Sequence, residues 1–157
     1  MASTVNDLKA IRERKVFSQV EFGTPQFDQL LDLRTRLLRI PLSIEFHVKD
    51  IQQEWAEYHF GLYTMKHELL ACLSMKRISF EEVKMRQVAV EVEQQGKGYG
   101  QKLVKEVEQW CRNEGFAKIS LHARDTAVPF YDKMNYKTVG DEFFEVNIAH
   151  YKMEKAL

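Results

Sequence analysis

Three glycines at alternate positions mark the stretch of this sequence best suited to bind a phosphate. Gly96, Gly98 and Gly100 follow a short apolar run, and an amphipathic helical pattern begins at once after them. The first turn of a helix presents unpaired N–H groups and a partial positive charge. Glycines let a bulky phosphate approach that backbone because no side chain stands in the way. The spacing therefore predicts a phosphate-bearing ligand held mainly by main-chain groups.

Acid–base chemistry has several candidate residues. Glu91 and Glu93 alternate with valines at the end of a predicted strand, so both are expected on one face of it. That face could border a substrate, and Glu91 is our candidate base, although carboxylates on an exposed strand are more often simply solvated. Further candidates are His122, Glu145 and His150, and a bound water would serve instead of any of them.

Period-two and helical patterns predict the elements that position these residues. Strands are expected at 16–22, 55–65, 67–75, 84–92, 118–123, 136–139 and 150–154. A helix capped by Thr24 precedes Pro41, and a longer helix runs from the glycines to about Glu114, with Gly115 just beyond its end. A short helix follows residue 125 and closes at Asn135, and a loop is expected at 140–149.

The composition indicates an ordinary globular domain over 1–157 and argues against several classes of protein. Hydrophobic residues make up 45% and charged residues 29% of the 157, a balance typical of one folded domain. Lys plus Arg and Asp plus Glu both number 23, so the zero net charge favours neither nucleic acid nor a membrane as partner. Without a signal-like or membrane-length apolar segment, a cytoplasmic protein is expected. Cys72 and Cys111 lie in apolar patterns typical of reduced core residues, and no metal site is expected.

The glycine stretch resembles the acetyl-coenzyme A (acetyl-CoA) pyrophosphate loop of the GNAT N-acetyltransferase superfamily. Residues 95–100, Gln-Gly-Lys-Gly-Tyr-Gly, fit the family pattern Gln/Arg-x-x-Gly-x-Gly/Ala. The P-loop pattern is absent, and the third glycine comes one residue too early for a dinucleotide fingerprint. A glycine-rich turn that merely separates a strand from a helix is the simpler alternative, and the flanking strand and helix argue against it.

Two further segments extend this resemblance over most of the chain, from about residue 16 to 157. Residues 127–136, Ala-Val-Pro-Phe-Tyr-Asp-Lys-Met-Asn-Tyr, are similar to the family's Ala-x-x-Phe-Tyr-x-x-x-Gly-Phe segment. Residues 144–150 resemble the Phe-x-Glu-x-x-Ile-x-His ending of a bacterial subgroup. The resemblance implies an α+β fold with a mixed, mostly antiparallel six- to seven-stranded sheet flanked by about four helices.

The resemblance also implies the activity and a role for particular residues. The reaction would be acetyl transfer from acetyl-CoA to a primary amine of a small metabolite, with Tyr131 protonating the leaving thiolate. A core aromatic is the plainer interpretation of Tyr131. Glu145 and His150 are carried over as acceptor-binding residues. The residues assigned to acetyl-CoA are Val88, Ala89, Val90, Gln95, Gly96, Lys97, Gly98, Tyr99, Gly100 and Phe130.

Other functions stay open at the level of the sequence. A non-catalytic acyl-CoA sensor or interaction module would share the glycine loop, and so would a nucleotide-phosphate binder unrelated to acyl transfer. The acceptor is expected to bind the variable segments 24–54 and 141–150, and a protein amino group is an alternative acceptor. Arg124, Asp125 and Thr126 stand where many members have asparagine, which affects coenzyme contacts outside the pyrophosphate loop. Edge strands near the C-terminus would suit a homodimer.

Overall fold

A computed structural model describes residues 3–44 and 47–157 of the chain. Residues 45–46, inside the segment predicted to contact the acceptor, lie outside the described residues, as do residues 1–2. The described helices are α1 (Ser3–Glu13), α2 (Pro25–Arg34), α3 (Val48–Gln52), α4 (Tyr99–Asn113) and α5 (Val128–Asp132). The described strands are β1 (Lys15–Val20), β2 (Tyr58–Thr64), β3 (Leu69–Arg77), β4 (Glu82–Val90), β5 (Lys118–Arg124), β6 (Lys137–Glu145) and β7 (Ile148–Ala156).

All seven described strands form one mixed sheet in the order β1-β2-β3-β4-β5-β7-β6. Neighbouring strands run antiparallel except for β4 and β5, which are parallel and are connected through α4. The predicted α+β fold with a mostly antiparallel sheet is confirmed. Across the described ranges, no helix is both long and apolar enough to cross a membrane.

Local signals for helix ends are confirmed. The Thr24 Oγ1 atom accepts the Phe27 N–H at 3.2 Å, and Pro25 opens α2. Gly115 follows the end of α4 with φ of 89°, and Asn135 follows α5 with φ of 68°. Because glycine and asparagine adopt this left-handed backbone at little cost, these residues end both helices as the sequence predicted.

The predicted loop at 140–149 is wrong. β6 extends to Glu145 and β7 begins at Ile148, so Val146 and Asn147 alone connect a long hairpin. Both residues have positive φ, 46° and 62°, which is the backbone that suits a two-residue hairpin turn. Valine rarely adopts positive φ, so the sequence carried no recognisable signal for this turn.

Two predicted strand ends also need correction. The sequence predicts Trp55 on a strand, but in the structure it lies in a short 3₁₀ turn and is 71% exposed. The strand β2 begins at Tyr58. β4 ends at Val90, so Glu91 lies just past the strand and not on its face. Aromatic content predicts strands weakly, because the tertiary structure decides which aromatic side chains become buried.

One face of the sheet is covered by α4. Leu103, Val104 and Val107 are fully buried on the apolar side of this helix. They pack against alternate strand residues, which share a face because successive side chains point to opposite sides. The strand residues of this core are Phe60, Leu62, Ala71, Leu73, Met75, Val83, Met85, Ile119, Leu121, Ala123 and Met153. Cys111 joins this core and Cys72 the opposite one, both as free buried thiols.

The opposite face is apolar beneath α2 and polar beyond it. Phe27, Leu30 and Leu33 of α2 are buried in a second core, beside a bidentate ion pair between Arg34 and Glu54. Farther along the sheet, polar residues of β4 and β5 alternate with residues of the first core. This alternation places Lys84, Arg86, His122 and Arg124 together on the face that α4 does not cover.

Candidate active site

β4 and β5 separate part of the way along their length. Their parallel pairing joins Glu82–Met85 to Lys118–Leu121. After these residues β4 continues to pair with β3, whereas β5 pairs with β7. In the described chain, β4 therefore has no strand partner on this side from Arg86 onward. The gap leaves backbone N–H and C=O groups of β4 available to a ligand.

A bulge in β4 lies where this gap opens. Gln87 has φ of 58°, and the pairing with β3 shifts between Cys72 and Ser74. Two residues of β4 thus oppose one residue of β3, an arrangement that bends the strand and redirects its backbone groups. Val88, one of the two, lines the gap.

The predicted phosphate loop leads from β4 into α4. Gly96 and Gly98 have φ of 77° and 84°, a left-handed backbone that favours glycine. A Cβ atom added to either glycine would meet no atom within 4 Å, so open space adjoins the loop. Since Gly98 caps α4 without a side-chain hydrogen bond, the first-turn N–H groups of this 15-residue helix are available to an anion.

Gly100 is required for a different reason, close packing. A Cβ at this position would lie 3.2 Å from Cγ2 of Val90 and 3.5 Å from Cζ of Phe130. Helix α4 therefore begins directly against the end of β4. The Gln95 side chain supports the same junction by donating from Nε2 to the Val90 carbonyl at 3.1 Å. These residues, predicted to hold acetyl-CoA, converge at one end of the gap.

The other residues assigned to the coenzyme differ in their surroundings. Lys97 is exposed and donates to the Gln94 side chain at 3.1 Å. Lys15 lies over the Tyr99 ring, with 5.6 Å from its Nζ atom to the ring centroid. Ala89 is buried in the core beneath α2, so its side chain faces away from the α4 side of the sheet. Of these three coenzyme-assigned residues, Lys97 is the one whose side chain carries a positive charge, and it lies in the loop itself.

A cleft of about 460 Å³ continues from the gap and is lined by Tyr131. This residue is 7% exposed, and its ring packs edge-on against Phe130 and Tyr136. Burial raises the pKa of Tyr131 to about 12. The phenol therefore keeps its proton across the neutral range and can act as a hydrogen-bond donor inside the cleft.

Three polar residues predicted from the sequence meet in the same cleft, although they come from separate strands. One carboxylate oxygen of Glu145 lies 3.6 Å from His122 Nδ1 and 3.8 Å from His150 Nε2. The His150 Nδ1 atom lies 2.7 Å from the carbonyl oxygen of Ile148. Since that carbonyl can only accept, Nδ1 of His150 carries hydrogen and its Nε2 faces Glu145.

Lys84 also lines the cleft, and sequence reasoning missed it. Its Nζ atom lies 3.3 Å from His122 Nδ1. Burial, and then the charge of Lys84, lower the pKa of His122 below its usual value, so the imidazole is neutral at pH 7. The alternation of Lys84 and Arg86 with the apolar Val83 and Met85 was the signal that could have revealed it.

Glu91 lies outside this cleft. Both of its carboxylate oxygens bind Arg36, at 2.9 Å and 3.0 Å, in a bidentate pair. Asp32 binds the same guanidinium at 2.9 Å, and the two carboxylates raise the pKa of Arg36, Glu91 being the larger cause. The structure therefore brings Glu145 and His150 together with Tyr131 but holds Glu91 at a surface ion pair.

A cluster of Glu54, Glu57 and His59 has the residue types and spacing of a metal site. Among the described residues, these donor atoms have protein partners except Glu57 Oε2, which is buried without a hydrogen bond. His59 uses one ring nitrogen toward Ser74 Oγ at 2.7 Å and the other toward the Glu54 carbonyl at 2.8 Å. Glu54 binds Arg34, and Glu57 binds Arg86. This cluster is therefore a network of internal hydrogen bonds and ion pairs.

Comparison with known sequences points to one family. The sequence model described as "Acetyltransferase (GNAT) domain" matches residues 44–157. An uncharacterized acetyltransferase of Streptococcus pyogenes is 31% identical over 64 residues, which is 41% of this chain and 44% of that protein. This chain thus matches less than half the length of that curated relative.

Comparison with solved structures shows the same fold. A putative N-acetyltransferase from Lactobacillus plantarum superposes with a TM-score of 0.78 and 22% identity, covering 92% of this chain and 97% of the other. A GNAT family acetyltransferase from Elizabethkingia anophelis, solved with acetyl-CoA bound, gives a TM-score of 0.71 and 17% identity, covering 91% and 98%. At these identities the likeness concerns the overall architecture alone.

Proposed function

This chain belongs to the GNAT acetyltransferase family, and on that premise we propose that it transfers an acetyl group from acetyl-CoA to a primary amine of a small metabolite. One observation carries the proposal: β4 diverges from β5 beside a glycine loop that opens α4, and Tyr131 and His122 line the same cleft. The loop suits a pyrophosphate, and the gap suits an extended thiol arm that pairs with main chain.

The proposed reaction is a direct transfer. The amine nitrogen attacks the thioester carbonyl carbon, the C–S bond breaks, and the electron pair of that bond leaves on the sulfur. Starting from the neutral amine, the nitrogen loses one proton and the sulfur gains one, so amide and thiol are the products. An amine that arrives as ammonium loses one further proton, which is released to solvent. The protein must stabilise the developing oxyanion, and in this proposal main-chain N–H groups of residues 88–90 do so.

Tyr131 is the proposed general acid in this scheme. Its burial keeps the proton on the phenol at neutral pH. A phenol with a pKa of about 12 is a weaker acid than an ordinary thiol. The same dry surroundings would raise the basicity of a thiolate beside it, because burial disfavours both charged forms. Tyr131 can therefore donate a hydrogen bond to the developing thiolate and complete the transfer as the C–S bond breaks.

His122 and Glu145 are the proposed route for the proton of the amine. An amine reaches the cleft mainly as ammonium, and it must lose a proton before or during the attack. The pKa of His122 is lowered by burial, so this imidazole is neutral at pH 7 and has a lone pair. Glu145, 3.6 Å away, stabilises the imidazolium that forms. His122 therefore replaces Glu91 as the proposed base, because Glu91 is already paired with Arg36.

The decisive experiment combines binding and turnover on the whole chain. Calorimetric titration with acetyl-CoA measures binding to the loop, and thiol release is then followed in the same mixture with a panel of amines. We expect saturable binding and thiol release that depends on the amine. Binding without release from any amine would favour an acyl-CoA sensor, and absence of binding would contradict the assignment of the glycine loop.

A further inference from the structure

On the side of the sheet away from α4, the described lining of the cleft has more positively than negatively charged side chains. Its described lining includes the cations Lys84, Arg86 and Arg124, whereas Glu145 is the carboxylate among the described lining residues. Arg86 forms an ion pair with Glu57, which offsets its positive charge. Glu145 lies between His122 and His150, at 3.6 Å and 3.8 Å.

Among the residues that the structure describes, neither Lys84 nor Arg124 forms a direct ion pair with a carboxylate, whereas Arg86 does. Lys84 is half-buried, and burial lowers its pKa from the usual value. The charge of Glu145 offsets this effect only in part, and an anion bound beside Lys84 would relieve the cost that remains.

We propose that the acceptor amine carries an anionic group, a carboxylate or a phosphate, which binds Lys84 with Arg124 as a second contact. This inference rests on the proposed acetyl transfer and names the class of its acceptor. These residues lie on adjacent strands of the sheet. Lys84 pairs in register with Ser120 of β5, and His122 and Arg124 follow Ser120 on the same face of that strand. An anion on Lys84 therefore enters the cleft next to the proposed base.

The spacing limits how far the anion can lie from the amine. The Lys84 Nζ atom is 3.3 Å from His122 Nδ1. An acceptor whose anionic group binds Lys84 and whose amine gives a proton to His122 must hold its negative charge and its nitrogen a few bonds apart. Compact amino acids and amino phosphates satisfy this requirement, whereas long diamines place a second positive charge against two cations and are disfavoured.

The test uses matched pairs of amines and one substitution. Each pair contains an anionic amine and its uncharged derivative, namely an amino acid with its amide and an amino phosphate with its dephosphorylated form. Lys84→Met removes the charge and keeps most of the side chain. Lys105→Met, on the exposed side of α4, removes the same charge far from the cleft. KM and kcat are measured for each amine and for acetyl-CoA.

We expect wild-type protein to prefer the anionic member of at least one pair, and Lys84→Met to lower its kcat/KM by about 10- to 100-fold, mainly through KM. The neutral amine, the KM for acetyl-CoA and the Lys105→Met variant should change by less than about threefold. The pair that responds distinguishes a carboxylate from a phosphate.

Two results would overturn the inference, and they can be told apart. Turnover of neutral or cationic amines with no preference for an anion, or a loss in Lys84→Met confined to the KM for acetyl-CoA, contradicts the acceptor class alone. Acetyl-CoA binding with no thiol release from any amine contradicts the transferase, and the acceptor class with it.

Discussion

At the scale of single residues, one physical cause gives Tyr131 and His122 complementary properties. Burial disfavours charge in both side chains, so it raises the pKa of the phenol to about 12 and lowers the pKa of the imidazole. Both groups are therefore neutral near pH 7. A neutral phenol has a proton to donate and a neutral imidazole has a lone pair to accept one, which is the combination that acyl transfer to an amine requires.

Replacing Tyr131 with Phe should separate catalysis from binding. The ring would still pack against Phe130 and Tyr136, so we expect the fold and the affinity for acetyl-CoA to be retained. Loss of the hydroxyl should lower kcat by about 100-fold, in the range typical of a lost general acid. Steady-state thiol release measures kcat, and calorimetry measures the affinity for acetyl-CoA. Equal kcat in both proteins would leave Tyr131 as a core aromatic.

His122→Gln and Glu91→Gln compare the two candidate bases. For the wild type, kcat/KM should fall as pH drops through the lowered pKa of His122, below about 6.5, because protonation removes the lone pair. We expect His122→Gln to lower kcat/KM at pH 7 by about 100-fold and to abolish this acidic limb. Glu91→Gln should retain the limb, since Arg36 holds that carboxylate outside the cleft. The reverse pattern would restore Glu91 as the base.

At the scale of elements, the junction of β4 with α4 determines where a phosphate can bind. Gly100 brings the first turn of α4 to within van der Waals distance of Val90 and Phe130. Gly98 turns the chain into the helix with φ of 84°, and the bulge at Gln87 bends the strand before it. The helix therefore directs its free N–H groups along the same gap that exposes the backbone of β4.

Gly98→Ala and Gly115→Ala form a matched pair that tests this junction. Both glycines have positive φ, at opposite ends of α4, and a Cβ at either meets nothing within 4 Å. Each substitution should therefore cost about 1 kcal/mol of stability from backbone strain alone. Only Gly98→Ala should also weaken acetyl-CoA binding, by about tenfold, because its methyl group stands beside the predicted phosphate site. Denaturant melts and calorimetry report the two effects, and equal coenzyme affinity in both variants would argue against the loop as a phosphate site.

At the scale of the whole molecule, the two faces of the sheet are built differently. The face under α4 is an apolar core, whereas the opposite face combines a smaller apolar core under α2 with the buried ion pair of Arg34 and Glu54. His59 is buried on this second face, and its ring hydrogen-bonds with Ser74 and with the Glu54 carbonyl. Burial lowers the pKa of His59, so the folded protein favours the neutral ring.

Stability should consequently depend on pH through His59. Its pKa is lower in the folded than in the unfolded chain, so the unfolded state binds more protons as pH falls below about 6.5. Its stabilising contribution is complete above that pH and is lost progressively down to the folded pKa. Thermal melts between pH 7 and pH 5 should show a smaller decrease in Tm for His59→Gln than for the wild type. His67→Gln, which removes an exposed histidine, is the control, and its Tm should decrease between pH 7 and pH 5 as much as that of the wild type.

The sequence by itself determined the local features of this protein. The glycine loop, the Thr24 cap, the end of α4 at Gly115 and the amphipathic face of α4 were all predicted and are present. These features depend on backbone preferences and periodicity within a few residues, which the sequence displays directly. The fold class and the family were expected from the resemblance of residues 95–100 and 127–136 to GNAT segments. The roles assigned to Tyr131 and to the coenzyme-binding residues stay predictions until the variants are measured.

The tertiary structure alone decided which distant side chains meet. Lys84, His122, Glu145 and His150 come from four strands, and their contacts depend on strand order and register. The same dependence joined Glu91 to Arg36, 55 positions apart, and removed it from the cleft. Strand patterns specify which face a side chain occupies but not its neighbour across the sheet, because register is set by the packing of the whole core.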